Sequence, residues 1–127
     1  MSTQTILVVD DNPSNLKLFT YMLALPGYEI ETARDAGEAL HVLERFKPRL
    51  IIMDLQLPDI DGLTLTRRLR ADPSLRGSVI VAVTASAMKG DEEKARAAGV
   101  DGYMSKPVDK RAFRAMVASY LKREEVQ

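Results

Sequence analysis

Acidic side chains stand where two short apolar runs end: Asp10-Asp11-Asn12 follows residues 6–9, and Asp54 follows Leu50–Met53. Two further runs of β-formers end in Thr84 and, through Tyr103-Met104-Ser105, in Lys106-Pro107. A single acid at such a place ordinarily caps a loop or a helix. Three that converge repel one another and require a cation, and an all-oxygen set suits a hard ion such as Mg²⁺, which favours octahedral geometry and keeps several waters. Asp11 and Asp54 are expected as direct ligands, with Asp10 orienting a bound water and the main-chain carbonyl of Gln56 completing the protein's share. With the ammonium of Lys106 and the hydroxyl of Thr84 nearby, this is equipment for phosphoryl transfer. The metal and Lys106 neutralise phosphoryl oxygens, Thr84 donates a hydrogen bond, and Asp54 attacks as nucleophile to give an aspartyl phosphate.

Five strand-then-helix units position these residues. Residues 6–9 form the first strand, Pro13 opens a helix on Leu16, Phe19 and Leu23, and Pro26-Gly27 stops it. Tyr28, Ile30 and Thr32 alternate as a second strand, and Asp35 with Glu38 offers a capping box to a helix whose apolar face is Ala36, Ala39, Leu40 and Leu43. Leu50–Met53 is the third strand; a helix carrying Leu65 and Leu69 follows and closes at Asp72-Pro73. Residues 79–83 are the fourth strand and 103–105 the fifth. Phe113, Met116, Val117, Tyr120 and Leu121 mark the last helix by their spacing. Right-handed crossovers then require a parallel sheet with helices on both faces, where ligands bind beyond the carboxyl ends of the strands. Asp10, Asp11, Asp54, Thr84 and Lys106 should therefore meet on one rim. The helix Asp91–Ala98 offers mainly Ala95 and Ala98 inward and should be loosely held.

The 127 residues suffice for one domain with its own core, at 46% hydrophobic and 28% charged. Cysteine is absent, which excludes disulfides, thiolate metal sites and Cys nucleophiles. Lysine plus arginine and aspartate plus glutamate number 18 each, so no net field recruits nucleic acid or an anionic membrane, and neither is expected as a partner. No apolar run approaches the roughly 20 residues that span a bilayer, and the first residues lack a signal-peptide pattern, so the chain reads as cytoplasmic.

In order and spacing, Val8-Val9-Asp10-Asp11-Asn12, Ile52-Met53-Asp54-Leu55-Gln56-Leu57-Pro58-Asp59-Ile60-Asp61-Gly62, Val83-Thr84-Ala85 and Ser105-Lys106-Pro107 resemble the receiver domain of bacterial two-component response regulators. The resemblance covers residues 4–122. It implies an α/β fold: a doubly wound, five-stranded parallel sheet of the flavodoxin-like (βα)5 kind, strand order 2-1-3-4-5, in a single receiver domain over 1–127 with no output domain. It implies a phosphorylation switch rather than an enzyme with an external substrate, catalysing only its own phosphotransfer and autodephosphorylation. In the family the pair matching Asp10 and Asp11 holds Mg²⁺, for which Mn²⁺ can substitute, and the aspartate matching Asp54 takes phosphate from a histidine kinase or histidine phosphotransfer protein. The residues matching Thr84 and Lys106 hold the phosphoryl group, and the Lys106–Pro107 bond is expected to be cis. Tyr103 falls at the family's switch aromatic, coupled to Thr84, while Gln56 and Ser86 stand where the lifetime of the phosphorylated form is tuned. A downstream kinase or effector is expected on the surface made by the Asp91–Ala98 helix, the Tyr103 strand and the last helix. Residues 83–91 and the lack of an output domain are further similar to stand-alone cell-division regulators of the family.

Other features are expected to be structural. Arg67, Arg68 and Arg70 with Arg76 read as a solvated helix face, His41 as a surface or packing residue, residues 88–91 as a loop and helix start, and Leu57-Pro58 with Asp61-Gly62 as a turn. Two other classes compete. An aspartate-nucleophile phosphatase of the haloacid dehalogenase type wants a second Asp two residues after its nucleophile, where this chain has Gln56, and a cap for which there is no room. A flavodoxin-like cofactor binder wants an anion-accepting loop after the first strand, where this chain has Asp10-Asp11-Asn12. A receiver excised from a hybrid histidine kinase remains the alternative within the leading class.

Overall fold

The computed structural model describes residues 3–85 and 90–126. The chain alternates strand and helix: β1 (Gln4–Val9), α1 (Pro13–Met22), β2 (Tyr28–Ala33), α2 (Ala36–Leu43), β3 (Leu50–Met53), α3 (Gly62–Arg70), a 3₁₀ turn (Pro73–Leu75), β4 (Val79–Thr84), α4 (Asp91–Ala98), β5 (Gly102–Ser105) and α5 (Lys110–Val126). All strand pairs are parallel, in the order β2-β1-β3-β4-β5, and the expected doubly wound flavodoxin-like fold is the fold found. No helix of the described residues is long and apolar enough to cross a membrane.

Because side chains alternate across a strand, the buried runs of β1, β3 and β4 feed two separate cores. Ile6, Val8, Leu50, Ile52, Val81 and Val83 point to one face, where Leu16, Phe19 and Met22 of α1 meet Phe113, Val117 and Leu121 of α5. Leu7, Val9, Ile51, Met53, Ile80 and Ala82 point to the other, under α2, α3 and α4. On α2 the buried set is Ala36, Ala39, Val42 and Leu43, so Val42 takes the core place expected of Leu40, which is only partly buried. Ala95 and Ala98 are the buried residues of α4.

Local polar bonds set the helix starts. Asn12 caps α1, accepting from Ser14 N–H (2.8 Å) and Asn15 N–H (3.2 Å), with Pro13 in the first turn. Asp35 caps α2 by accepting from Glu38 N–H (2.7 Å), while the Glu38 carboxylate reaches back to Arg34 N–H (3.0 Å), one residue before the cap. Asp61 caps α3 through Thr64 N–H and hydroxyl, both at 2.9 Å.

Arg70, like Leu40, departs from expectation. Arg67, Arg68 and Arg76 are exposed, but Arg70 is not part of a solvated face. Its guanidinium donates to Gly99 O (2.8 Å) and Ser78 O (2.7 Å) and pairs with the Asp101 carboxylate, which also accepts Ile80 N–H (2.9 Å). The planar fork of donors joins α3 to the start of β4 and to the turn between α4 and β5. Gly99, at φ 120° and with Arg70 Cγ 2.6 Å from where a Cβ would stand, is the residue that lets Arg70 in.

Gly62 is required for a different reason. Its N–H bonds Leu55 O (2.8 Å), and a Cβ there would lie 2.5 Å from Leu55 Cα and 2.8 Å from Asp54 O, both backbone atoms that cannot step aside. Gly62→Ala is expected to cost about 1–3 kcal/mol, the usual range for overpacking. Urea unfolding measures it, and a wild-type midpoint and slope would show that the close approach is not a constraint.

Candidate functional site

Strand register decides which side chains meet at the rim. Val9 pairs with Met53 and Asp54 N–H bonds Val9 O (2.9 Å), so Asp10 and Asp54 leave the sheet side by side. Thr84 pairs with Ser105, and Lys106 N–H bonds Thr84 O (2.9 Å), which brings the end of β5 into line. By alternation Asp10, Asp54 and Lys106 fall on the side of Val8, Ile52 and Met104, facing α1 and α5. Lys106 Nζ donates to Asp10 Oδ2 (2.7 Å) and to Asp54 Oδ2 (3.1 Å). The remaining oxygens accept main-chain donors: Asp10 Oδ1 takes Asn12 N–H (2.9 Å) and Asp54 Oδ1 takes Gln56 N–H (3.0 Å). The Lys106–Pro107 bond is cis.

Asp10 and Asp54 are 1% and 6% exposed, so their charges are held out of water, whereas Asp11 is exposed. One carboxylate oxygen from each of the three lies within 4.8 Å of the others. With all three ionised, the carboxylates exceed the one ammonium by two negative charges. No hydrogen bond or ion pair engages the Asp11 carboxylate among the described residues, and each oxygen of Asp10 and Asp54 has taken only one hydrogen bond of the two its lone pairs allow. All-oxygen donors, spare lone pairs and a twofold charge deficit fit a hard divalent cation.

Burial pushes the Asp54 carboxyl above its ordinary pKa of 3.8, against the pull of the Gln56 N–H and of Lys106; the Asp10 charge adds to the rise. For Lys106 burial works downward, but the hydrogen bonds it donates to Asp10 and Asp54 and the charges of those carboxylates outweigh it, and the ammonium titrates above its ordinary range. Lys106 is thus held in its cationic form, while the surroundings of Asp54 do not fully compensate its ionised form.

Thr84 is buried at the end of β4 and contributes, with Gln56 and Asp91, to a cleft of about 390 Å³ between the loop after β3 and the start of α4. Tyr103 pairs with Ala82 in the sheet and packs on the α2, α3 and α4 face, to which alternation also assigns Thr84. Its hydroxyl oxygen is buried with no hydrogen-bond partner among the described residues. Burial, then the charges of Asp91 and Glu92, raise its pKa. Ser86 lies outside the described residues. His41 is exposed on α2.

Asp59 escapes sequence reasoning. Its two oxygens accept Ala36 N–H and Gly37 N–H, at 2.9 Å each, and these donors hold its carboxyl below the usual range. The partners are 23 and 22 residues back in the chain, so only the strand order, which sets the ends of β2 and β3 on either side of β1, could have pointed to it.

Residues 6–118 match the family described as response regulator receiver domain. The polar-differentiation response regulator DivK of Brucella ovis is 43% identical over 119 residues, covering 94% of this chain and 97% of that protein. Among solved structures, a CheY-like response regulator receiver domain protein from Methanospirillum hungatei superposes with a TM-score of 0.89 at 31% identity over 98% of both chains. The receiver domain of a sensor histidine kinase from Pseudomonas aeruginosa, which holds a magnesium ion coordinated in its active site cleft, gives 0.85 at 34% identity over 95% of this chain and 99% of that one.

A raised folded-state pKa means that the ionised carboxyl opposes folding: whatever stability the protonated form confers is lost as pH rises from the ordinary value through the folded one. Asp54→Asn, uncharged throughout, is therefore expected to melt above wild type at pH 7 in chelator. Added Mg²⁺ should raise the wild-type midpoint and narrow that gap. A mutant melting below wild type in chelator would show that Lys106 already compensates the charge.

Proposed function

The chain belongs to the response regulator receiver-domain family, and from that premise we propose that it is a phosphorylation switch of a two-component system or phosphorelay, with Asp54 as phosphoacceptor. The observation that carries the reading is the partly buried Lys106 ammonium shared between the buried carboxylates of Asp10 and Asp54, beside a third carboxylate. Asp10, Asp11, Asp54 and the carbonyl of Gln56 would hold Mg²⁺, or Mn²⁺ in its place; when bound, the ion neutralises charge on the phosphoryl oxygens.

In the transfer an Asp54 carboxylate oxygen attacks the phosphorus of a phosphohistidine. The O–P bond forms as the N–P bond breaks, and the leaving imidazole takes up a proton. Lys106 exchanges its bond to Asp54 Oδ2 for one to a phosphoryl oxygen, and Thr84 donates its hydroxyl to another. Neither residue needs to change its protonation state. Gln56 and Ser86, matched in sequence to the family's lifetime-tuning positions, would set how fast water hydrolyses the acyl phosphate.

Output follows from the opposite face of the sheet. A dianionic group on Asp54 rewards one placement of Thr84, and Tyr103, on the same face, holds a buried hydroxyl with no hydrogen-bond partner among the described residues, which would be worth about 1–3 kcal/mol to satisfy. Helix α4, anchored by two alanines, is the element that can follow. The α4-β5-α5 surface would present the change to a downstream kinase or effector, in the cytoplasm, with a histidine kinase or phosphotransfer protein as donor.

The match to DivK over nearly the whole of that protein supports a part in cell-division control. The similarity to a receiver domain of a sensor histidine kinase supports the second reading, a receiver from a hybrid kinase.

Acetyl phosphate with Mg²⁺ is expected to add one phosphoryl mass to the wild type and none to Asp54→Asn, by intact-protein mass spectrometry; modification of the mutant would move the acceptor elsewhere. Lys106→Ala should keep Mg²⁺ binding yet lose phosphodonor-dependent capture of a partner. Equal capture with and without donor in the wild type would remove the output surface.

A further inference from the structure

We propose that Asp59 is a positioning residue for the metal site: its carboxylate ties the loop that carries Gln56 to the N-terminus of α2, and thereby fixes the Gln56 main chain beside Asp10, Asp11 and Asp54. The inference rests on the reading of those residues as holders of a divalent cation.

The loop between β3 and α3 is held by polar bonds at both ends. Gln56 N–H bonds Asp54 Oδ1 (3.0 Å), and Gly62 N–H bonds Leu55 O (2.8 Å). Leu57 and Ile60 pack on the core face, which keeps the loop on the protein. The middle has one further polar link, and it is Asp59. Its Oδ1 and Oδ2 each accept one of the first two N–H groups of α2, at 2.9 Å, and Oδ1 also accepts Ile60 N–H (2.8 Å).

Those donors are groups that a helix leaves without internal partners, and they favour an anion. Asp35 already takes the third, from Glu38, so α2 has a conventional cap of its own. Asp59 adds a connection between two loops. In the order β2-β1-β3 the segments after β2 and β3 are separated by two strand spacings, about 9.5 Å, and a bond joining them spans the end of β1, from which Asp10 and Asp11 emerge. The link therefore brackets the acidic residues from the side away from Lys106. Groups that orient a metal ligand without touching the metal typically change affinity by about 10–100-fold when removed. Here the ligand they orient is a main-chain carbonyl, three residues from the tie.

The test compares Asp59→Ala with Asp35→Ala in the full chain. Each removes one carboxylate and its hydrogen bonds from the same helix terminus, so charge and helix stability change alike, and only the first releases the loop. Mg²⁺ affinity is read by calorimetry and loop order by amide hydrogen exchange of residues 55–60. Asp59→Ala is expected to bind Mg²⁺ roughly tenfold more weakly and to exchange faster over 55–60. Asp35→Ala should stay within about twofold of wild type on both measures. Asp59→Asn, which keeps one acceptor oxygen, should fall between. Equal losses in the two alanine variants, or wild-type affinity in Asp59→Ala, would overturn the positioning role. A wild-type protein that fails to bind Mg²⁺ would instead overturn the reading of the acidic site, and the tether with it.

Discussion

The structure depends on a repulsion that the fold itself creates. A parallel sheet brings the ends of its central strands together, and in this chain two of those ends are aspartates, both buried. Lys106 is the answer supplied by the protein, one ammonium shared by Asp10 and Asp54. It satisfies one oxygen of each and leaves the third carboxylate, Asp11, unanswered at the surface among the described residues. A buried ion pair of this kind is weak evidence for stability, because desolvation offsets attraction. Its value lies in what it leaves incomplete: on the function proposed above, the site would be compensated best by a divalent cation and, in exchange for the lysine's second bond, a phosphoryl group.

The two faces of the sheet divide the labour. On the side of α1 and α5, large side chains interlock, with the Phe19 and Phe113 rings 5.2 Å apart between centroids. That face fixes the positions of Asp10, Asp54 and Lys106. On the other side α4 contributes alanines and begins at Gly90, at φ 93° with no side-chain cap, while its far end is gripped by Arg70 through Gly99. A helix that starts at a glycine without a side-chain cap, carries alanines inward and is gripped at its far end is suited to transmit a small movement of Thr84 without disturbing Asp10, Asp54 and Lys106.

Much of this was legible in the sequence, for reasons that differ by residue. β3 and the core of β1 are continuous apolar runs because a central parallel strand is buried on both faces, and their abrupt ends in carboxylates marked the rim. The short loop motifs fixed the family because each has a local chemical task. What stayed hidden was long-range. Arg70 looks like its exposed neighbours Arg67 and Arg68, and only the convergence of Ser78, Gly99 and Asp101 on its guanidinium separates it from them. Asp59 reads as one more turn acid until the strand order places α2 beside it. Val42 displaced Leu40 from the core because the orientation of α2 on the sheet, not its periodicity alone, selects the buried stripe.

The most direct measurement is a crystal structure of the protein grown with magnesium and beryllofluoride. The account predicts a beryllofluoride group on an Asp54 oxygen and a magnesium ion held by Asp11, Asp54 and the Gln56 carbonyl, with Lys106 moved from Asp54 to a fluorine. A pocket that stays empty under those conditions, with Lys106 still bridging Asp10 and Asp54, would contradict it.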